Sequence, residues 1–229
     1  MRGVTYPLHF IDFETSRMAI PYHKGMNPYE QIAFQWSCHT VKAPGAPPDH
    51  EEWINVDRKF PNFEFARSLR KQIGDKGTVL TWAHHESSVL SDIALQMKKY
   101  RKDDGALADW LADTVDEDSG RILDLNKVTL KGYFHPDMRG KTSLKAVLPA
   151  VWNSDPALHE LPWLTKYVQY DAAGGKVLDP YKTLKAIEIA GQAEAIREGT
   201  GAMRAYQHKI GRAHVSTPVT DVSRMPSSA

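Results

Sequence analysis

The stretch Leu8-His9-Phe10-Ile11-Asp12-Phe13-Glu14 decides how the rest of this chain is read. From Pro7 to Thr15 the residues alternate as a β-strand does, with Leu8 and Phe10 on one side of the pattern and two acids near the strand end. Two carboxylates separated by one residue on a strand point to the same side, so Asp12 and Glu14 can share a hard cation. Taken alone, a solvated strand end is the better reading of such a pair. Its weight depends on what else the fold brings to that end.

Beyond a loop marked by Pro21, Gly25 and Pro28, residues Gln31 to Val41 place Ile32, Phe34, Trp36 and Cys38 at period two. That predicts a half-buried second strand. A turn at Pro44 to Pro48 and a short third strand at Trp53 to Val56 complete an expected antiparallel meander. Phe65, Leu69 and Ile73 then recur at four-residue spacing behind Pro61, which predicts a helix over Pro61 to Ile73. Val79 to Ala83 reads as a buried strand. Glu86 to Tyr100 reads as a helix with Val89, Leu90, Ile93 and Met97 on one face. A short helix at Leu107 to Val115, a short strand at Ile122 to Leu125 and an amphipathic helix at Ser143 to Trp152 follow. Strands alternating with helices after a meander predict an α/β fold, with strand ends and helix starts meeting along one edge. Trp36, Trp53, Trp82 and Trp110 are expected in the core.

That edge gives the first acid pair its company. Glu86 opens the helix after an apolar strand, and Asp124 closes another apolar run. With these acids placed, the order resembles the DEDD-type 3′-to-5′ exonucleases of the ribonuclease H-like superfamily. More closely, Phe10-Ile11-Asp12-Phe13-Glu14-Thr15, Pro28 to Gln35 and Ser143-Leu144-Lys145-x-Val147-Leu148-Pro149-Ala150 are similar to an uncharacterised bacterial domain-of-unknown-function family, placed among predicted DEDD-like nucleases. The likeness spans about residues 7 to 206.

The resemblance implies a ribonuclease H-like mixed sheet, three antiparallel strands followed by parallel ones, with helices on its faces. It implies a metal-dependent nuclease that hydrolyses DNA or RNA, expected to act as a 3′-to-5′ exonuclease. Its catalytic ligands would be Asp12, Glu14, Glu86, Asp124 and Glu198, holding Mg²⁺ or Mn²⁺ as all-oxygen ligation suggests. Glu86 and Glu198 stand where the pattern has Asp. The extra methylene moves a carboxylate by about 1.5 Å, against a metal pair about 3.5–4 Å apart. Trp82 stands where those exonucleases carry Asn, and Ala193 where they carry the general base, leaving His84, His85 and Tyr206 as nearby substitutes. The alternative is a catalytically impaired nucleic-acid-binding or scaffold module of the same fold.

Candidate substrate contacts are His84 and His85, Gln31 and Gln35 on the polar side of the second strand, and Lys131, Lys141 and Lys145. These lysines belong to a segment that interleaves Lys127 and Arg139 with Tyr133, Phe134 and His135, a composition suited to phosphates and bases. A solvated basic loop is the competing reading for that segment, and a cross-strand polar ladder for the two glutamines.

Across 229 residues, 29 basic side chains face 28 acidic ones, so any attraction to nucleic acid must be local. One cysteine, Cys38, excludes an internal disulfide framework and a cysteine zinc cage. The apolar runs are too short to span a bilayer and no signal core follows Met1, so a cytoplasmic protein without membrane contact is expected. Residues 210–229 resemble one reading frame of a sequencing adapter, so a domain over 1–209, truncated from a longer parent that could be multidomain, followed by a non-native coil tail is expected.

Overall fold

The computed structural model describes residues 3–183 and Tyr206, apart from positions 56, 117, 119 and 176. Its centre is a five-stranded mixed sheet in the order β3-β2-β1-β4-β5, built from β1 (Leu8–Arg17), β2 (Gln31–Val41), β3 (Asp49–Ile54), β4 (Thr78–Thr81) and β5 (Ile122–Asp124). The pairs β1–β2 and β2–β3 are antiparallel, whereas β1–β4 and β4–β5 are parallel. The strand that opens the chain is therefore the middle strand, and the meander and the α/β order are as the sequence predicts. Gly77 makes the entry to β4 possible. It has φ +86, and a Cβ there would lie 2.1 Å from the Pro7 carbonyl oxygen that borders β1.

Three helices cover one face: α1 (Asn62–Ile73), α2 (His85–Lys99) and α3 (Gly105–Val115). Each presents a stripe at helical spacing to the sheet. Phe65, Leu69 and Ile73 from α1, Val89, Ile93 and Met97 from α2, and Leu107 and Leu111 from α3 meet Ile11, Phe13, Ala33, Trp36 and Val79 in one apolar core. Arg121, just ahead of β5, fastens the end of α1 to this sheet. Its guanidinium donates to the carbonyls of Gly74 at 2.6 Å, Gly77 at 3.0 Å and Ile73 at 3.2 Å, a cation on the negative end of the helix.

Several expectations shift in detail. The core side of β1 is Ile11 and Phe13, not Leu8 and Phe10; Phe10 is 39% exposed. Both parities of this strand are apolar at one end, and only the helices decide which parity is inward. In β2 the alternation breaks, because Glu14 faces Gln35 but Thr15 faces Ala33, leaving Phe34 as a bulged residue. Ile32 and Phe34 consequently enter a separate cluster with Met26 and Tyr206, while Trp36 and Cys38 stay in the helix-covered core. The strand is buried along nearly its whole length rather than half-buried.

Asn62 serves the backbone beside this irregularity: its Oδ1 accepts from Ala33 N at 2.8 Å, and its Nδ2 donates to Gln31 O at 3.0 Å. The third strand begins earlier than expected, since an edge strand tolerates the exposed run Asp49-His50-Glu51 that hides it from a hydropathy reading. An additional helix, α4 (Leu125–Gly132), follows β5 directly; with Thr129 its one buried residue, no apolar stripe announces it. Helix α5 (Leu144–Ser154) and a short turn α6 (Pro180–Thr183) complete the described elements used below.

Candidate active site at the strand ends

Strands β1, β4 and β5 run in the same direction, so their C-terminal ends form one edge, the place where α/β sheets commonly gather functional groups. Asp12 and Glu14 lie toward the end of β1, opposite Ser37 and Gln35 of β2. Thr81, the last residue of β4, pairs with Asp124, the last of β5. Between β4 and α2 the chain turns sharply at Ala83, a non-glycine residue at φ 74. The turn drops Glu86 into the first turn of α2, where it is 4% exposed.

Asp124 is fixed from three directions. Its Oδ1 accepts from Ala83 N at 3.0 Å, Asn126 N at 2.8 Å and Lys127 N at 3.2 Å, so it caps α4 and holds the β4–α2 turn at once. Glu86 is far less well supplied: its Oε2 is buried with no hydrogen-bond partner. The Oε1 of Gln35, cross-strand neighbour of Glu14, is in the same condition. Buried oxygens without donors are costly, and each calls for a reason.

The electrostatics tie these groups together. Burial above all pushes the Glu86 carboxyl up to about 8; its own backbone N–H opposes this, and repulsion from Asp12 and then Asp124 adds to it. Burial and then Asp12 push Glu14 up to about 7. Four carboxylates predicted from sequence are thus linked in a chain of charge: Asp12 acts on both Glu14 and Glu86, and Asp124 acts on Glu86. Tyr181, on α6, joins them: burial, then Asp12, then Asp179 push its phenol up to about 12. The sequence reading missed Tyr181. Its local signal, Asp179-Pro180-Tyr181, is a helix start of the ordinary kind, with Asp179 Oδ1 accepting from Tyr181 N at 3.0 Å.

Among the described residues, no group of three or more His, Cys, Asp or Glu side chains is arranged to hold a metal ion. The donor chemistry nevertheless fits a hard cation, since the edge offers carboxylate and amide oxygens and the Glu86 oxygen is aimed at no protein donor. Raised carboxyl pKa values at half-buried Glu14 and buried Glu86 favour their neutral forms beside Asp12.

The remaining candidates divide. His84 and His85 are exposed at the start of α2. Gln31 is occupied: its side-chain oxygen accepts from Arg17 Nε at 3.2 Å and also from the Arg17 Nη2, and its backbone carbonyl takes Asn62 and Gln96. Glu30, in the same motif, accepts from Lys99 Nζ at 2.6 Å and Tyr100 Oη at 2.8 Å. Lys131, Lys141 and Lys145 are exposed. Tyr206, one of the substitutes for a general base, is buried, stacked on Phe34 with ring centroids 4.1 Å apart, and its hydroxyl accepts from Asn55 Nδ2 at 2.8 Å. Glu198, Ala193 and the segment 210–229 lie outside the described residues.

Fold and edge define an α/β protein with an acidic site at the ends of its parallel strands. Residues 9–143, more than half the chain, match the family described as a domain of unknown function, DUF2779, and the chain belongs to that family. The matched span contains Asp12, Glu14, Glu86 and Asp124. No match was found among curated proteins or among solved structures. Among the described residues no helix is long and apolar enough to cross a membrane.

Proposed function

We propose that this chain is a ribonuclease H-like, DEDD-type nuclease that hydrolyses phosphodiester bonds of DNA or RNA with Mg²⁺ or Mn²⁺, acting from the 3′ end. The order of three antiparallel strands followed by two parallel ones agrees with what the sequence resemblance implies. The observation that carries the reading is the buried, partnerless Oε2 of Glu86 among mutually repelling acids at the strand ends. A structural carboxylate at a helix start needs neither that burial nor those neighbours.

Asp12, Glu14, Glu86 and Asp124 would hold the cations, with Glu198 as the fifth ligand taken from the resemblance. Bound cations supply charge neutralisation at the attacked phosphate and lower the pKa of water. The chain's own groups prepare the place. Asp124, held by three backbone N–H groups, gives a fixed carboxylate. Asp12 supplies the negative potential felt by Glu14, Glu86 and Tyr181.

A second reading is a catalytically impaired nucleic-acid-binding module of the same fold. The absence, among the described residues, of three acids arranged to hold a metal favours it, together with Glu in place of Asp at position 86. Incubating the protein with end-labelled single-stranded DNA and RNA over a titration of Mg²⁺ or Mn²⁺ separates the two. Metal-dependent loss of label-proximal or label-distal nucleotides, reduced at least about a hundredfold in Asp12→Ala, is expected for the nuclease. Equal activity in wild type and Asp12→Ala rejects it.

A further inference from the structure

The segment from Lys127 to Thr142 is built as a rooted arm. Its first part is α4, whose amino end is capped by Asp124 of the acidic edge. Its far end returns to the same place: the Thr142 carbonyl accepts from Asn126 Nδ2 at 2.7 Å and from Trp82 Nε1 at 3.1 Å. Trp82 directly precedes Ala83, whose N–H holds Asp124. Between these ends Met138 is buried with Val147 and Ala150 against Trp82. The arm is closed at its base by hydrogen bonds and pinned by one apolar contact.

It holds two adjacent aromatic rings outward. Phe134 is 77% exposed and its neighbour Tyr133, on extended backbone just past α4, is 38% exposed. Lys127, Lys131, Arg139 and Lys141, exposed, flank them in sequence, against one acid, Asp137, in a protein whose overall charge is +1. A merely solvated loop has no use for a bare phenylalanine held on a pinned base. Flat aromatic faces between cations match the alternating bases and phosphates of an unpaired strand, whereas in a duplex the base faces are already stacked.

We propose that the arm Lys127–Thr142 is a single-strand grip, in which Phe134 and Tyr133 stack on unpaired bases while Lys127, Lys131, Arg139 and Lys141 hold the flanking phosphates. The proposal rests on the nucleic-acid reading above and names its substrate class as single-stranded rather than double-stranded. The root at Thr142, Asn126 and Trp82 fixes the grip relative to Asp124, so a held strand has a set distance to the acids.

Binding is measured by fluorescence anisotropy on the full chain in EDTA, where hydrolysis plays no part, using a labelled 12-nucleotide DNA, the same sequence in RNA and a blunt DNA duplex. The single strands are expected to bind at least tenfold tighter than the duplex. Phe134→Ala should weaken them about tenfold, Tyr133→Ala by less, and Phe134→Trp should retain binding. Lys131→Ala and Lys141→Ala should each lower the slope of log affinity against log salt by about 0.7. Because these side chains are exposed, circular dichroism and melting should match wild type.

Equal affinity for duplex and single strands, indifference to Phe134→Ala, or no binding at micromolar protein overturns the grip. So does sedimentation showing that Phe134→Ala turns a dimer into a monomer, which would make the arm a contact between copies of this chain. If binding follows Phe134 but cleavage is equal in wild type and Asp12→Ala, the grip stands and the hydrolytic reading falls. If cleavage follows Asp12 and binding ignores Phe134, the reverse holds.

Discussion

The two sides of β1 are built from neighbouring residues and obey opposite rules. Ile11 and Phe13 enter a core in which every group is apolar and packed, with the Phe13 ring edge-on to Phe65 at a centroid distance of 4.8 Å. Asp12 and Glu14, on the other side, belong to an edge with raised carboxyl pKa values and buried oxygens at Glu86 and Gln35 that lack partners. The first side stabilises the fold and the second costs stability. Raised carboxyl pKa values and unpartnered buried oxygens gathered in one place agree with the ligand-binding role proposed above.

Substitutions on the two sides should therefore differ sharply in their cost to stability. The largest effect is expected from Phe13→Ala, which removes a buried ring from the centre of the core and should cost about 3–5 kcal/mol in urea denaturation. The neighbouring Asp12→Asn keeps the side-chain shape and should cost far less in EDTA, because it relieves the repulsion on Glu14 and Glu86. A large loss in both variants would show that Asp12 is structural and that the contrast is false.

The pH dependence sharpens the comparison. Unfolded glutamate ionises near 4.5, but folded Glu14 and Glu86 ionise near 7 and 8. Between those values the folded chain binds protons that the unfolded chain has released, so stability falls as pH rises. This contribution is fully present below about 4.5 and is lost as pH passes through about 8. In EDTA the melting temperature should thus decline from pH 5 to pH 9, with Glu86→Gln removing most of the slope; the sum at stake is on the order of a few kcal/mol. Mg²⁺ or Mn²⁺ should flatten the wild-type slope, because a cation favours the ionised carboxyls. A wild-type slope unchanged by either ion would leave the acidic edge without the cation role.

Much of the core side was legible because it repeats. The stripes Phe65-Leu69-Ile73 and Val89-Ile93-Met97 have the helical period, and the acids stand out by ending apolar runs. The rest was hidden for local reasons. The bulge at Phe34 needs the partner strand to be visible, so period two alone wrongly groups Ile32 with Trp36. Helix α4 is set by the Asp124 cap rather than by apolar spacing. Gln31 offers the same amide to a reader whether it awaits a substrate or, as here, receives Arg17. Tyr181 is brought to Asp12 by a long connection that no short motif encodes.

The smallest effect tests the boundary between the two sides at Tyr206, a residue that sequence alone leaves open between catalysis and packing. Its ring is buried on Phe34 and beside Tyr22, and burial first pushes its phenol up to about 12, a poor match for a base at neutral pH. Tyr206→Phe keeps the ring and removes only the hydroxyl. The Asn55 amide that donates to it also donates to the Asp57 carbonyl at 2.9 Å, so no donor is left wholly stranded. The expected cost is about 1 kcal/mol in urea denaturation, with cleavage, where present, within about twofold of wild type. Tyr206→Ala, which also empties the stack, should cost several times more. Cleavage lost in Tyr206→Phe at unchanged stability would move this tyrosine from the packed side of the molecule to the reactive one.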